Sequence, residues 1–182
     1  MRKIDVYKTP VVVRAGENFE WENKSSNGTV TVSSSTWPLT QSSYPVTSTP
    51  QRATVNTTAS AGSSSTFQSS PPPNPPATQN MIVAGWHGEV CSDVTVLPDQ
   101  YILWHNGNSS SVTIKPQSGT TWPWPDASFS VDAGGDLVKQ VPSGTQAGDY
   151  PITVTLANGN SACAGIKAGG NPTIMIGGST NP

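Results

Sequence analysis

The chain has 182 residues, of which 34% are hydrophobic and 11% are charged, and its formal net charge is −2. This balance excludes the basic footprint of a nucleic-acid-binding protein, and no apolar run reaches the roughly 18 residues that a membrane-spanning helix needs. The abundance of Gly, Pro, Ser, Thr and Asn disfavours helices and favours short strands joined by turns.

The first predicted elements form a series that the second half of the chain repeats in the same order. Residues 11–32 read VVVRAGENFEWENKSSNGTVTV, and residues 94–114 read VTVLPDQYILWHNGNSSSVTI. In each stretch the pattern predicts a valine strand, a polar turn, an aromatic strand that ends in Trp-x-Asn, a polar loop and an alternating strand. A Trp-Pro phrase follows, TWPLTQSSYPV at 36–46 and TWPWPDASFSV at 121–131. We interpret this order as an internal duplication.

The later elements complete each half of the duplication. The matched segments are 52–62 with 136–148, 65–70 with 149–155, and 80–85 with 173–178. The proline-rich segment 69–80 stands opposite 158–172, and we interpret both as the loop before the last strand. The repeat therefore predicts two domains, residues 1–88 and residues 89–182, each of a size that suits a β-sandwich.

The order of these motifs resembles the cupredoxin family of plastocyanin-like and azurin-like proteins. The motifs in the first half are Ala15-Gly16-Glu17, Trp21-Glu22-Asn23 and Val30-Thr31-Val32. Those in the second half are Pro98-Asp99-Gln100, Trp104-His105-Asn106, Gly148-Asp149-Tyr150 and Ile174-Met175-Ile176. The resemblance implies an all-β fold of two tandem Greek-key β-sandwiches. A pair of immunoglobulin-like sandwiches is the alternative, because strand alternation does not distinguish the two folds.

The resemblance also implies where copper ligands would stand, and those places hold other residues. One family histidine begins the strand after the polar loop, but residues 27–30 read NGTV and residues 110–112 read SSV. The strand that carries the family's cysteine ligand has no cysteine, and the last loop has neither histidine nor methionine. Because blue copper needs two imidazoles and a thiolate, we expect no metal cofactor. His87, His105 and Cys91 are the candidates for an atypical copper site.

The two cysteines, Cys91 and Cys163, do not match the spacing of a four-ligand zinc motif. We predict a disulfide between them, with two free buried thiols as the alternative. A disulfide and a charge-poor composition are typical of secreted proteins, so we expect an extracellular or cell-surface location. Residues 1–21 lack the apolar segment of a signal peptide, which fits a mature chain and leaves an intracellular location open.

The chain contains six tryptophans, and five of them fall into two groups. Trp21 and Trp104 lie inside matching aromatic strands, which predicts that they pack in a core. Trp37, Trp122 and Trp124 adjoin prolines just after a strand. Such indoles either cover the open end of a sandwich or present a platform to a sugar or a protein. We favour the cover and keep these three as candidates for a binding surface.

The sequence contains no G-x-S-x-G, H-E-x-x-H or P-loop pattern that would indicate catalysis. We therefore predict a non-enzymatic, copper-free protein that acts in binding or assembly, as an extracellular or cell-surface structural subunit. Its predicted partner is another protein or a second copy of the chain, joined through edge strands. Carbohydrate binding through the exposed tryptophans and atypical copper binding are the alternatives.

Overall fold

The computed structural model describes residues 1–164 and 171–177 of the chain. The chain divides into two compact units, Met1–Ala84 and Gly85–Pro182, which we call unit 1 and unit 2. All regular secondary structure among the described residues is β-strand, and these residues include no helix with the length and apolarity that crossing a bilayer requires. The loop predicted at 158–172 lies partly outside the described residues.

Each unit contains eight strands among its described residues. Those of unit 1 are β1 (Arg2–Asp5), β2 (Val11–Val13), β3 (Asn18–Glu22), β4 (Val30–Ser33), β5 (Ser43–Val46), β6 (Gln51–Thr54), β7 (Ser64–Ser70) and β8 (Gln79–Val83). Those of unit 2 are β9 (Trp86–Glu89), β10 (Val94–Val96), β11 (Tyr101–His105), β12 (Val112–Pro116), β13 (Phe129–Val131), β14 (Asp136–Gln140), β15 (Gly148–Leu156) and β16 (Thr173–Ile176).

Each unit is a sandwich of a three-stranded and a five-stranded sheet. The three-stranded sheet has the order β1-β3-β6 in unit 1 and β9-β11-β14 in unit 2. The five-stranded sheet has the order β2-β8-β7-β4-β5 in unit 1 and β10-β16-β15-β12-β13 in unit 2. Side chains from both sheets of a unit meet in one hydrophobic core. The two units therefore share one topology.

Two parallel strand pairs in each unit identify the type of sandwich. In unit 1, β1 runs parallel to β3, and β2 runs parallel to β8. Unit 2 repeats both pairs, with β9 parallel to β11 and β10 parallel to β16. An immunoglobulin sandwich is built instead from two antiparallel sheets. The predicted all-β fold of tandem cupredoxin-like Greek-key sandwiches is confirmed, and the immunoglobulin-like alternative is not adopted.

The strand β9 begins before the predicted start of the second domain at residue 89. It pairs in parallel with β11, and Trp86 stands opposite Ile102. His87 is therefore part of a strand. Trp86 and Val90 pack against the core of unit 2, and burying this apolar surface draws the segment onto the sheet.

Trp21 and Trp104 lie at the centres of the two cores, as predicted. Each indole is 0% exposed, because alternation along β3 and β11 directs these side chains inward. Trp21 stands opposite Gln51, and Trp104 stands opposite Leu137. This common register establishes which residues of the two units correspond.

The turn before each aromatic strand uses the left-handed backbone conformation. Gly16 has a φ angle of 73°, and Asp99, at the matching place in unit 2, has a φ angle of 65°. Glycine adopts this region without steric conflict, whereas for aspartate it costs about 1 kcal/mol. The repeated motif at these positions is thus explained by the geometry of a turn.

Candidate interaction edge

Cys91 and Cys163 form a disulfide within unit 2, as predicted, and their Cα atoms are 5.3 Å apart. The bond joins segments separated by 72 residues in sequence, one after β9 and the other before β16. Both residues are buried in the core of unit 2. Because a disulfide-bonded sulfur is not a thiolate, Cys91 offers no metal ligand in this state.

His87 and His105 lie on neighbouring strands of the three-stranded sheet of unit 2. His87 stands opposite Leu103, and alternation places it on the same outer face as His105. The Nδ1 atom of His105 lies 2.8 Å from Oδ1 of Asp136, and the His105 side chain is 40% exposed. Within the part of the chain that the structure describes, no group of three or more His, Cys, Asp or Glu side chains is arranged to hold a metal ion.

The three tryptophans of the Trp-Pro phrases differ in their exposure. Trp37 and Trp124 are buried, with 7% and 8% of their surfaces exposed. Trp122 is half-buried and packs against the core of unit 2 from outside. A platform for a ligand needs an accessible ring, so Trp122 is the member of this group that has surface to offer.

The Trp-Pro phrase forms the same local turn in both units. The indole N–H of Trp37 donates to the carbonyl of Gln41 at 2.8 Å. The indole N–H of Trp122 donates to the carbonyl of Asp126, also at 2.8 Å. In both cases the acceptor lies four residues after the tryptophan. The repetition of the phrase is therefore accounted for by a structural turn.

The two turns place different tryptophans against the central indole of the core. In unit 1, Trp37 stacks on Trp21, with ring centroids 6.3 Å apart. In unit 2, the ring beside Trp104 is that of Trp124, at a centroid distance of 6.1 Å. The additional tryptophan of unit 2 thus fills the inner position, and the repeated tryptophan lies farther out.

A proline explains why Trp124 holds this inner position. In unit 1, the backbone N–H of Thr40 donates to the carbonyl of Thr54 at 3.0 Å. Unit 2 has Pro125 at the place of Thr40, and proline has no N–H. The matching carbonyl, that of Gln140, accepts the indole N–H of Trp124 at 2.7 Å instead. Trp124 therefore supplies both a core side chain and a missing donor.

Trp122 belongs to a partly exposed cluster, which we call the Trp122 corner and which consists of Trp122, Asp126, Phe129 and Lys139. The rings of Trp122 and Phe129 stack with their centroids 4.6 Å apart. The Nζ atom of Lys139 lies 3.9 Å from the Phe129 centroid and 3.9 Å from Oδ2 of Asp126. Aromatic side chains are enriched at protein interfaces, so this corner offers an apolar contact with a charged rim.

Phe129 is also the first residue of β13, which lies at an edge of the five-stranded sheet of unit 2. An edge strand presents unpaired backbone groups, and charged residues or proline suppress pairing there. The edges β1, β6, β9 and β14 carry charged residues, and β5 carries Pro45. The edge β2 carries neither, but its three residues are buried. β10 and β13 are uncharged, proline-free and partly exposed.

β13 differs from β5, its counterpart in unit 1, at the residue that sets whether the edge has a backbone donor. Pro45 stands opposite Thr31, whereas Ser130 stands opposite Thr113 at the same register. Because Pro45 fits into the sheet without an N–H, the N–H at this position points away from the neighbouring strand. Ser130 therefore directs its backbone N–H out of the sheet edge, where a partner strand can accept it.

Unit 1 contains an open cavity of about 560 Å³ that is lined mostly by hydroxyl groups. Its lining residues are Ser33, Ser34, Ser35, Thr36, Ser42, Ser43, Thr66, Phe67 and Gln68, with no charged residue among them. The cavity lies beyond the end of β4 at Ser33, whereas the matching strand β12 extends to Pro116. The Ser34 hydroxyl replaces part of the missing ladder by donating to the carbonyl of Thr66 at 2.6 Å.

No protein-family model matches the chain, and no curated protein matches its sequence. Among solved structures, the chain is similar to Fet3p, a multicopper oxidase that functions in iron import, with 9% identity and a TM-score of 0.28 over 93% of this chain and 46% of that one. It is similar to a copper-containing nitrite reductase (NirK) from Thermus scotoductus SA-01, with 8% identity and a TM-score of 0.32 over 94% and 60% of the two chains.

A third similar structure is SGBP-B of a mixed-linkage glucan utilization locus of Bacteroides ovatus, solved in complex with a mixed-linkage heptasaccharide. The identity is 12% and the TM-score is 0.30, over 95% of this chain and 45% of that one. The chain spans about half the length of these three solved proteins, with shares of 46%, 60% and 45%.

Proposed function

We propose that this protein is a non-enzymatic, copper-free structural protein of the cell exterior that associates with a second copy of itself through β13. The observation that carries the proposal is the exchange at the sheet edge, where Ser130 in unit 2 replaces Pro45 of unit 1. Proline at this register cannot donate a hydrogen bond to an incoming strand. Serine keeps its backbone N–H, so β13 can still donate a hydrogen bond to an incoming strand.

The Trp122 corner supports association at the same edge. β13 has three residues, and so short a strand pair forms too few backbone hydrogen bonds to be stable alone in water. Side-chain burial must therefore add to the pairing. Trp122 and Lys139 lie beside the strand and supply apolar surface and a charge.

The disulfide supports a location outside the cytosol. Cytosolic reductants keep thiols reduced, whereas disulfides persist in oxidising compartments. The small net charge of −2 also keeps the electrostatic repulsion between copies low. Both features suit a subunit that assembles on the exterior of a cell.

The test compares the wild-type protein with Ser130→Pro by size-exclusion chromatography and light scattering over a range of concentrations. We expect the mass of the wild type to rise with concentration and the mass of Ser130→Pro to stay that of one chain. The proline should be compatible with the fold, because unit 1 already holds Pro45 at this register.

Ser130→Ala is the matched control, because it removes the hydroxyl and keeps the backbone N–H. It should assemble like the wild type, and circular dichroism should show the same fold for all three proteins. A wild type that stays monomeric at high concentration would overturn the proposal, as would a Ser130→Pro variant that assembles normally.

Binding of a neutral saccharide is a second candidate function, favoured by the hydroxyl-lined cavity of unit 1. Hydroxyl groups both donate and accept hydrogen bonds, which matches the chemistry of sugar hydroxyls. The volume of about 560 Å³ lies within the usual range of small-molecule sites. An uncharged lining offers little to a phosphate or a carboxylate.

Titration calorimetry with the neutral disaccharides maltose and cellobiose tests this second candidate. Thr66→Val should remove binding, whereas Ser64→Ala, on the same strand but outside the lining, should retain it. A binding signal that Trp122→Ala abolishes and Thr66→Val leaves unchanged would place the sugar at the Trp122 corner. The absence of any signal would reject saccharide binding for both disaccharides.

A further inference from the structure

We infer that the strand which accepts β13 is β10 of the next copy, so that copies join head to tail and continue one sheet from molecule to molecule. This inference rests on the proposed self-association and adds the identity of the accepting surface. The two strands lie at opposite edges of the same five-stranded sheet. Each copy then uses one edge as donor and the other as acceptor.

The directions of the strands permit this pairing by simple displacement. β10 runs parallel to β16, and each following neighbour across the sheet, β15, β12 and β13, reverses direction. Within one unit, β13 therefore runs opposite to β10. If a second copy is moved sideways in the plane of the sheet without rotation, its β10 lies antiparallel to β13 of the first copy. In an antiparallel pair the interstrand hydrogen bonds are perpendicular to the strands.

β10 has the composition that an accepting edge needs. It ends the sheet order and has β16 as its neighbour on the other side. Val94 and Val96 are buried, and Thr95 between them is exposed. With neither charge nor proline, the strand lacks the usual features that keep an edge from pairing.

A cavity beside β10 opens on the outer face of the sheet, the face that carries Thr95 and Ser130. It has a volume of about 350 Å³ and is lined in part by Thr95, Ala147 and Met175. Methionine adapts its shape to a neighbour, so the cavity can accommodate side chains that lie beside Ser130 of the next copy, on the same face of the sheet.

Different donor and acceptor surfaces have a consequence for the form of the assembly. A contact between unlike surfaces is heterologous, and it leaves a free donor and a free acceptor after each addition. Copies then add in a row, unless rotation between them closes a ring. A β13-to-β13 contact would instead be isologous and stop at a dimer.

A complementation experiment tests the inference on the full chain. Ser130→Pro blocks the donor edge, and Thr95→Lys places a charge on the acceptor edge. We expect each variant alone to be monomeric. A 1:1 mixture, with one variant isotopically labelled, should form a heterodimer with one copy of each in native mass spectrometry, because the mixture retains one working donor and one working acceptor.

The other outcomes separate the inference from the proposed function. If the wild type and Thr95→Lys assemble equally and Ser130→Pro does not, β13 pairs with a surface other than β10 and the inference is wrong. If the wild type is monomeric, the proposed function itself fails. If the mixture yields no heterodimer while the wild type assembles, the head-to-tail contact is rejected.

Two further variants keep the test decisive if Thr95→Lys misfolds. Ala147→Lys charges the cavity from another segment and should also block the acceptor. Trp122→Ala leaves both strand edges intact and should weaken association by about tenfold or more, as expected for an aromatic anchor. Thr95→Ser is the control that alters β10 without charge and should assemble normally. An unchanged association of Trp122→Ala would contradict the role of the indole.

Discussion

Asn23 and Asn106, the last residues of the Trp-x-Asn motifs, each close a loop by hydrogen bonds. In both, the side-chain oxygen accepts the backbone N–H two residues later, and the amide donates to the carbonyl four residues later. Asn106 is 0% exposed and also donates to the carbonyls of Val131 and Asp132. This side chain therefore ties the loop of unit 2 to the end of β13.

Asn106→Ala should lower the free energy of unfolding of unit 2 by about 3 kcal/mol, because it leaves several buried groups without hydrogen-bond partners. Asn23→Ala should cost unit 1 about 1 kcal/mol, since Asn23 is half-buried and water can replace its bonds. Urea denaturation followed by circular dichroism measures both. If both substitutions lowered the free energy of unfolding by the same amount, burial of the asparagine would not determine the size of the loss.

The pair Trp124 and Pro125 allows a second prediction at this scale. Trp124→Phe should lower the free energy of unfolding of unit 2 by about 2 kcal/mol, through a smaller ring and a lost donor to Gln140. In a Pro125→Thr background the loss should be smaller by about 1 kcal/mol, because the new backbone N–H can donate to the same carbonyl. A double-mutant cycle by urea denaturation measures this coupling, and strict additivity would refute it.

At the scale of elements, the sheet edges decide where strands can add. Pro45→Ser should open β5 of unit 1 in the same way that Ser130 opens β13. We expect the double variant Pro45→Ser/Ser130→Pro to regain some of the association that Ser130→Pro loses, and to bind more weakly than the wild type because β5 has no Trp122 corner. Sedimentation velocity measures the mass. A fully monomeric double variant would show that an open edge alone is insufficient.

Several strands could be predicted from the sequence alone, because local alternation determines them. The stretches at 30–33 and 112–116 alternate in hydrophobicity, and both are strands of the five-stranded sheets. β9 was not predicted, since Trp86–Glu89 contains a glycine and becomes a strand through pairing with the distant β11. Local pattern gives no direct signal of such long-range pairing.

The candidate site required knowledge of the sheet order. The exchange of Pro45 for Ser130 is visible in the phrases that end in SYPV and SFSV. Its effect on strand pairing follows only from the sheet order, which places β5 and β13 at the edges of the five-stranded sheets. The repeated phrase also aligns Trp37 with Trp122, but the contacts of the core show that Trp124 takes the inner position.

At the scale of the whole molecule, the two units have separate cores of the same design and differ on the outer faces of their three-stranded sheets. Three matched positions on the outer face of the three-stranded sheets are Lys3, Glu20 and Arg52 in unit 1 and His87, Leu103 and Val138 in unit 2. A row of alternating charges in unit 1 corresponds in unit 2 to an exposed histidine, a buried leucine and a half-buried valine. The open edges β10 and β13 are what support the proposal that unit 2 contacts other molecules.

The disulfide provides the last prediction, because it joins segments of unit 2 and leaves unit 1 without a covalent link. Each unit has its own hydrophobic core, so we expect two unfolding transitions. Cys91→Ala/Cys163→Ala should lower the free energy of unfolding of unit 2 by about 4 kcal/mol, since it frees a long loop in the unfolded chain. Hydrogen exchange with mass spectrometry should show lost protection in peptides of unit 2 alone. Equal losses in unit 1 would mean that the two units unfold together.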